Sequence, residues 1–253
     1  MWLIKYRDLI WNLTLTDLKI KYQNSVLGFA WSLLNPLLMM LVLYAVFINI
    51  FRFNQENFAL YLLVGLIVWR FFAIGTSTAM GSIVGRPGLV TKIYIPRQIL
   101  VLSTTLSCFI SSILEFFVLI PLIIIFGVKI SPGILFFPIV HGIYFFIVYG
   151  VSLILASLFV YYRDLNQIWD VVIQLGFFLS PIVYPFSVIP ARYISYYILN
   201  PMTVLVETYR NFLIYGSLPG LRSVLYLILV GVILILVGTG IFHRLERRFA
   251  EMI

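Results

Sequence analysis

Charge is scarce in this sequence: Asp, Glu, Lys and Arg make up 10% of its 253 residues, whereas 62% are hydrophobic. Soluble domains carry roughly a quarter charged and half apolar residues, so an ordinary water-soluble fold is excluded. Cysteine is scarcer still. Cys108 stands alone, which rules out an internal disulfide and a cysteine-based metal site. The two histidines, His141 and His243, lie far apart in the chain with no runs of acidic ligands beside them, so no metal centre is expected. A Gly-rich phosphate cradle ending in Lys-Ser or Lys-Thr is also missing, and the chain is expected to hold neither ATP nor any other cofactor. Gly75-Thr-Ser-Thr-Ala79 echoes a nucleophile elbow, but that device needs a strand-turn-helix setting, and here it falls inside an apolar run. It reads as small residues for helix packing, as do Gly81 and Gly85. Clustered catalytic carboxylates are wanting too, Asp164 and Asp170 being the nearest approach, which leaves a membrane-embedded acyl- or glycosyltransferase as the weaker alternative.

What is present is hydrophobicity in blocks. Mean hydropathy is +1.08 and the formal net charge is +8. About 20 apolar residues span a bilayer, and six candidates satisfy that at about 31–51, 58–84, 98–127, 134–160, 168–185 and 222–242. The fifth is the weakest, since it is short, carries Asp170 and Gln174, and runs into Pro181 and Pro185. The expected fold is therefore all-α and integral to the membrane, one domain over residues 1–253 with six transmembrane helices. After Met1 the apolar Trp-Leu-Ile is broken at once by Lys5, Arg7 and Asp8, so no cleavable leader is expected.

Residues 1–23 have helical periodicity, with Lys5, Asp8, Asn12, Thr16 and Lys19 on a polar stripe and Trp2, Tyr6, Leu9, Leu13 and Ile20 on an apolar face. That pattern suits a helix lying in the membrane interface, although Arg7, Asp17 and Lys21 interrupt its apolar side. From Tyr22 to Pro36 the charges stop, Gly28 permits a bend and Trp31 suits headgroup depth, which marks a water-to-membrane crossing. Lysines and arginines then set orientation. One side would hold Lys5, Arg7, Lys19, Lys21, Arg86, Lys92, Arg97, Arg163, Arg244, Arg247 and Arg248. The other would hold Arg52, Lys129, Arg192, Arg210 and Arg222. Eleven against five puts both termini in the cytoplasm, as an even number of spans requires. Basic residues at span ends suit anionic membrane lipid and not nucleic acid.

Two connections exceed a minimal turn. Residues 86–97 should hold a short helix bracketed by Pro87-Gly88 and Pro96. Residues 183–220 are too apolar for a solvated loop and, broken by Pro185, Pro190, Pro201 and Pro219, suggest re-entrant helices forming an exterior cap. Within the spans, Arg70 and Glu115 sit roughly 22 and 26 Å from the cytoplasmic ends at 1.5 Å per residue, close enough in depth to pair. The alternative is that Arg70 faces a polar path and meets an anionic substrate. Among the many aromatics, Trp69, Phe72, Phe177 and Tyr184 could line such a route, while packing is the commoner use.

Ser25-Val-Leu-Gly28, Trp31 and Asn35-Pro36 open a series that continues with Tyr94-Ile-Pro-Arg97, Tyr162-Arg-Asp164, Ser180-Pro-Ile-Val-Tyr184, Asn200-Pro-Met202 and Arg244-Leu-Glu246. The ordered set resembles permease subunits of ABC exporters of the polysaccharide, O-antigen, capsule and teichoic acid type, over nearly the whole chain. That resemblance implies a homodimer joined to two copies of a separate ABC ATPase, which would hold ATP and magnesium, and a lipid-linked glycan substrate. The chain would then reside in the cytoplasmic (inner) membrane. It also implies that residues 86–97, with Arg86, Pro87, Gly88, Leu89, Lys92, Ile93, Tyr94, Pro96 and Arg97, form the coupling segment. Arg163 and Asp164 would make a second ATPase contact, and Lys5, Lys19 and Lys21 would stand near the glycan's pyrophosphate. An exporter of drugs or small lipids with the same architecture is the nearest rival. A secondary transporter is disfavoured, since no repeat links the two halves.

Overall fold

The computed structural model describes residues 5–23, 27–28, 30–50, 52, 56–93, 95–129 and 131–252, and all regular structure among them is helical. Tyr94, of the expected coupling segment, lies outside the described residues. Five helical stretches are long and apolar enough to cross a membrane: Ala30–Asn49, Phe58–Met80, Gln98–Ile125, Pro132–Tyr161 and Leu221–Arg248. The remaining candidate, Leu165–Leu179, has 15 residues, or about 22 Å at 1.5 Å per residue, short of the ~30 Å hydrocarbon thickness.

Helix α1 (Arg7–Tyr22) leads through Gly28, whose φ of +48° makes the bend, into α2 (Ala30–Asn49). Helix α3 (Phe58–Met80) is the centre of the subunit. From Phe58 to Trp69 every side chain is buried, because α3 packs against α2, α5 (Gln98–Phe116), α7 (Phe137–Tyr161), α8 (Leu165–Leu179) and α10 (Pro201–Leu213). A helix that is hydrophobic all round suits that position. After α5 the chain makes two tight turn bonds, Phe117 N–H to the Leu114 carbonyl (3.2 Å) and Val118 N–H to the Glu115 carbonyl (3.2 Å), before α6 (Leu119–Ile125). Pro121 explains the reset, since it has no N–H to continue the ladder.

The closest helix approach joins α7 to α11 (Leu221–Leu245). A Cβ on Gly150 would lie 2.7 Å from the Leu234 backbone carbon, and one on Gly238 would lie 2.6 Å from the Gly150 carbonyl oxygen. Glycine is required at both positions because another backbone already fills the space. Gly81 and Gly85 do not play that part. A Cβ on either would meet only the backbone of its own turn, so the expected helix-packing role gives way to a place beside a cavity.

Much of the outer surface is apolar. Trp31, Leu38, Leu41 and Val42 on α2, Ile168, Val171, Leu175 and Phe178 on α8, and Leu225, Leu229 and Leu236 on α11 are all exposed. Helix α8 buries no residue at all. Lipid or another apolar surface must cover these faces.

Candidate functional site

Residues 86–97 do form a helix, α4 (Pro87–Lys92), with Pro87 in its first turn. Val90 is buried beneath it, whereas Pro87, Gly88, Thr91, Lys92 and Ile93 face outward, Ile93 being 51% exposed. Leu89 and Pro96 are partly buried. The two arginines that bracket the segment turn inward. Arg86 pairs with Asp17 of α1 and donates to Thr104 Oγ1 of α5 at 3.4 Å, while Thr104 donates to the other Asp17 oxygen at 3.0 Å. Arg97 Nη1 donates to the Glu246 carbonyl at 2.6 Å, at the end of α11. His243 pairs with Glu246 at 2.8 Å, and Tyr161 donates to the Leu245 carbonyl at 2.8 Å. Helix α12 (Phe249–Met252) tucks Phe249, fully buried, against Phe242 below α4. Helix α4 is thus hung between a brace to the amino-terminal helix and a brace to the carboxyl-terminal turn. Arg163 and Asp164 are exposed just before α8.

Helix α1 lies along α5 and turns its Ile10 and Thr14 side inward, leaving Trp11, Leu15 and Ile20 exposed. Thr14 donates to the Ser103 carbonyl at 3.3 Å, and the Tyr22 hydroxyl to Ser111 Oγ at 3.2 Å. Those contacts advance together along both helices. Of the apolar face expected to lie in the interface, Tyr6, Leu9 and Leu13 are half-buried, Leu13 packing on the core, and Ile20 is exposed. The small hydroxylated stripe of α5 meets the line of Thr14, Asp17 and Tyr22 on α1. Lys5, Lys19 and Lys21 are all exposed, and Lys21 also lines a cavity between α1, α5 and the turn after α3.

Higher in the span, Arg70 and Glu115 meet as their depths predict. Arg70 Nη1 donates to Asn35 Oδ1 at 2.6 Å, and its Nε and Nη2 each lie 3.4 Å from a Glu115 oxygen. Glu115 is almost wholly enclosed, so losing one partner leaves a charge in an apolar setting, which costs about 3–5 kcal/mol. Arg70→Glu or Glu115→Arg alone is expected to lower the Tm of the purified protein, and the two together to restore most of the loss. A double variant melting no higher than either single would show that the pair does not join α3 to α5.

Of the aromatic residues named for a path, Trp69, Phe72 and Phe177 meet between α3 and α8. Trp69, 7% exposed, meets Phe72 at a tilt and Phe177 edge-on, at centroid distances of 5.7 and 6.0 Å. Gly176 makes room for it, since a Cβ there would sit 2.8 Å from the Trp69 ring. Tyr184 donates to the Phe178 carbonyl at 2.7 Å and shares a bond with the Tyr197 hydroxyl at 2.9 Å, fastening the chain just past α8.

At the end away from the termini, α10 carries a fully buried arginine, Arg210 at 0% exposure. Its guanidinium donates to the Tyr61 hydroxyl (2.6 Å), the Pro181 carbonyl (2.6 Å), the Ile182 carbonyl (2.8 Å), the Tyr61 carbonyl (3.2 Å) and Glu207 (2.8 Å). The group also lies over the Tyr61 ring at 3.3 Å. Pro181 ends α8 and frees those carbonyls, and Arg210 collects them and fastens the break to α3. A Cβ on Gly65 would lie 2.8 Å from the guanidinium, so α3 yields its side chain at that spot. Arg210 is thus not one of the loop charges of the orientation count.

The model of the ABC-2 type transporter family matches residues 8–214, which run from α1 through α10. This chain belongs to the ABC-2 type transporter family. Among curated relatives, the O-antigen export system permease protein RfbA of Myxococcus xanthus is 32% identical, the alignment covering 99% of this chain and 97% of that protein. A protein of the same name from Klebsiella pneumoniae is 30% identical, with 97% and 95% covered. The polysialic acid transport protein KpsM of Escherichia coli is 21% identical, with 92% of each covered.

Two buried groups of this ABC-2 family member escaped the reading of its sequence. Arg210 is one. The other is His141, which shares hydrogen bonds with Ser112 Oγ (2.9 Å) and the Tyr209 hydroxyl (2.6 Å) and stacks between Phe109 and Phe137. It ties α5, α7 and α10 together. Among the described residues no group of three or more His, Cys, Asp or Glu gathers to hold a metal. Asp164 and Asp170 are exposed, one at each end of the first turns of α8.

Proposed function

We propose that this chain is the transmembrane permease of an ATP-driven exporter that carries a lipid-linked polysaccharide, of the O-antigen or capsule kind, across the cytoplasmic membrane. The observation that carries this reading is likeness over nearly the full length to proteins named O-antigen export permeases. The working unit is a homodimer bound to two copies of a separate ATPase, which holds the ATP and magnesium. Both termini, α4 and the Arg163-Asp164 corner lie on the cytoplasmic side. The short α8 together with the chain beyond Ser180 makes the sixth crossing, and the segment 183–220 re-enters to cap the exterior mouth. The unburied α8 and the exposed face of α2 favour a second subunit as their cover.

Transport then follows from mechanics. ATP binding draws the two ATPase subunits together, and the outward face of α4, with Pro87, Gly88, Lys92 and Ile93, receives that rigid-body movement. A permease without an ATP cradle gains direction only from the ATPase's different affinities for ATP in the two arrangements. The test is a deletion strain complemented in trans. The wild-type gene is expected to restore surface polysaccharide. The Lys92→Glu, Ile93→Glu variant, which changes only exposed side chains, is expected to leave polymer inside the cell and to lose the ATPase on co-purification. Unaltered surface polymer in the deletion strain would overturn the proposal.

A further inference from the structure

Helix α4 cannot hold its own position. It has six residues, of which Val90 alone is buried, and isolated helices shorter than about 12–15 residues are marginal in water. Whatever fixes its outward face must come from the chain packed behind it.

Much of that chain is the carboxyl-terminal turn. Phe242 and Phe249 are fully buried in the same apolar cluster as Val90, and Leu89 of α4 packs against that cluster. The two phenylalanine rings meet edge-on at a centroid distance of 5.4 Å, and the Tyr161 ring stands 6.2 Å from Phe249. Helix α12 touches both α4 and α7. Val90 thus rests on a floor supplied by α7, α11 and α12.

Polar groups lock that floor in place. The last carbonyls of a helix lack intrahelical partners and carry the negative end of its dipole. At the end of α11 the Tyr161 hydroxyl donates to the Leu245 carbonyl, and Arg97 donates to the Glu246 carbonyl. Arg97 forms no ion pair among the described residues, so its charge serves this backbone position. The next residue, Gln98, is buried and lies 3.4 Å from one ring nitrogen of His243, whose other nitrogen meets Glu246 at 2.8 Å. Two successive residues at the start of α5 therefore grip one turn of α11. Helix α11 is itself closed onto α7 at Gly150 and Gly238, where another backbone fills the space. Helix α1, by contrast, lies along α5 and is joined to the start of α4 through Arg86. The two ends of α4 are fastened to different parts of the subunit.

We infer that the carboxyl-terminal turn, residues 246–252, is the seat of α4, with Arg97 and Phe249 as positioning residues that hold its outward face in place before the ATPase arrives. The inference rests on the reading in which α4 receives the ATPase, and it assigns the readiness of that surface to the far end of the chain. A docking helix that wanders is in place only part of the time, and the apparent affinity for its partner falls by that fraction.

The mobility of α4 is read without any ATPase, from a nitroxide at Thr91→Cys on its exposed face, in the full chain in phosphatidylcholine nanodiscs. Cys108 is buried and stays unlabelled. A second label at Asn166→Cys, exposed on α8, reports on the rest of the subunit. Phe249→Ala and Arg97→Gln are expected to mobilise the label at 91 and to leave the one at 166 unchanged. Phe249→Leu, which refills most of the space, and Met252→Ala, exposed on the same turn, should leave both labels as in the wild type. In the unlabelled chain, Phe249→Ala is expected to raise the Kd for the ATPase roughly fivefold, α4 then being in place about a fifth of the time, with ATP turnover at saturation within about twofold. Equal mobility at 91 in wild type and Phe249→Ala would overturn the seat, and so would loosening at both labels, which marks a general loss of packing. A mobile α4 with unchanged ATPase affinity would overturn the positioning role. A wild-type permease that binds no ATPase would tell against the export reading instead and leave the label result standing.

Discussion

Replacing Arg210 by methionine is expected to cost the protein most of its folded yield and to lower the Tm of what survives by roughly 10 °C, the equivalent of about 3–5 kcal/mol lost with a buried charged partner. Methionine fills much of the same volume, so the loss is not one of space. It comes from the carbonyls of Pro181 and Ile182, which accept from the guanidinium and lie outside any helix ladder. Without it they face an apolar interior, and each unsatisfied group costs about 1–3 kcal/mol. Lysine is expected to recover little, since a single ammonium cannot match a planar fork that reaches α3 and the chain past α8 together. Arg192→Met is the control. Arg192 is exposed and lies over the Tyr193 ring, and its loss should barely move the melt. Equal melting temperatures for the two variants would refute the staple. Under the proposed assembly the segment held by Arg210 is the exterior cap, so a partly folded Arg210→Lys protein should also export poorly.

Arg210 shows where reading the sequence stops. Its place between Pro201 and Pro219 made it look like one more loop charge, because nothing local reveals a partner 149 residues earlier in Tyr61. The same holds for Asp17. On a helical wheel it spoils the apolar side of α1, and only the fold brings Arg86 to it. Thr14 and Ser103 are 89 residues apart, so the choice of which flank of α1 packs was invisible to its own periodicity. What was legible depended on rules that act within a short window. Long apolar runs marked the spans, Pro87 and Pro96 framed α4, and Pro181 marked the end of α8. Arg70 and Glu115 were an intermediate case. They are distant in sequence, yet each sits in hydrocarbon at a depth that can be counted, and a charge there must find a partner. The aromatics named for a path are a different case. Trp69 and Phe177 pack on each other across α3 and α8, which their composition could not distinguish from stacking on a sugar.

The second large effect is expected where α1 meets α4, the proposed coupling helix. Arg86 directly precedes α4 and holds Asp17, so a force on α4 reaches α1 through one partly buried ion pair and the Thr104 bond that shares it. Exposed ion pairs contribute about 0–1 kcal/mol, but this one is largely enclosed and oriented by a third group. With Asp17→Asn, Arg86 keeps only neutral acceptors, and α1 is free to stay behind when α4 moves. In reconstituted complexes of permease and ATPase, export is expected to fall at least tenfold, about 1.4 kcal/mol of transition-state stabilisation. ATPase binding and ATP hydrolysis should remain within twofold, because the outward face of α4 is untouched. Restoring the attraction in reverse, with Asp17→Arg and Arg86→Asp together, should recover part of the export. Loss of ATPase binding in Asp17→Asn would instead mean that the pair shapes the docking surface, and undiminished export would mean that α1 does not move with α4. The distinction matters for the cavity beside α1, whose walls are the helix that carries Lys21 and the turn that carries Ser82. If the ion pair ties those walls to α4, a movement of α4 reshapes the cavity, and hydrolysis without export is the signature of cutting that tie.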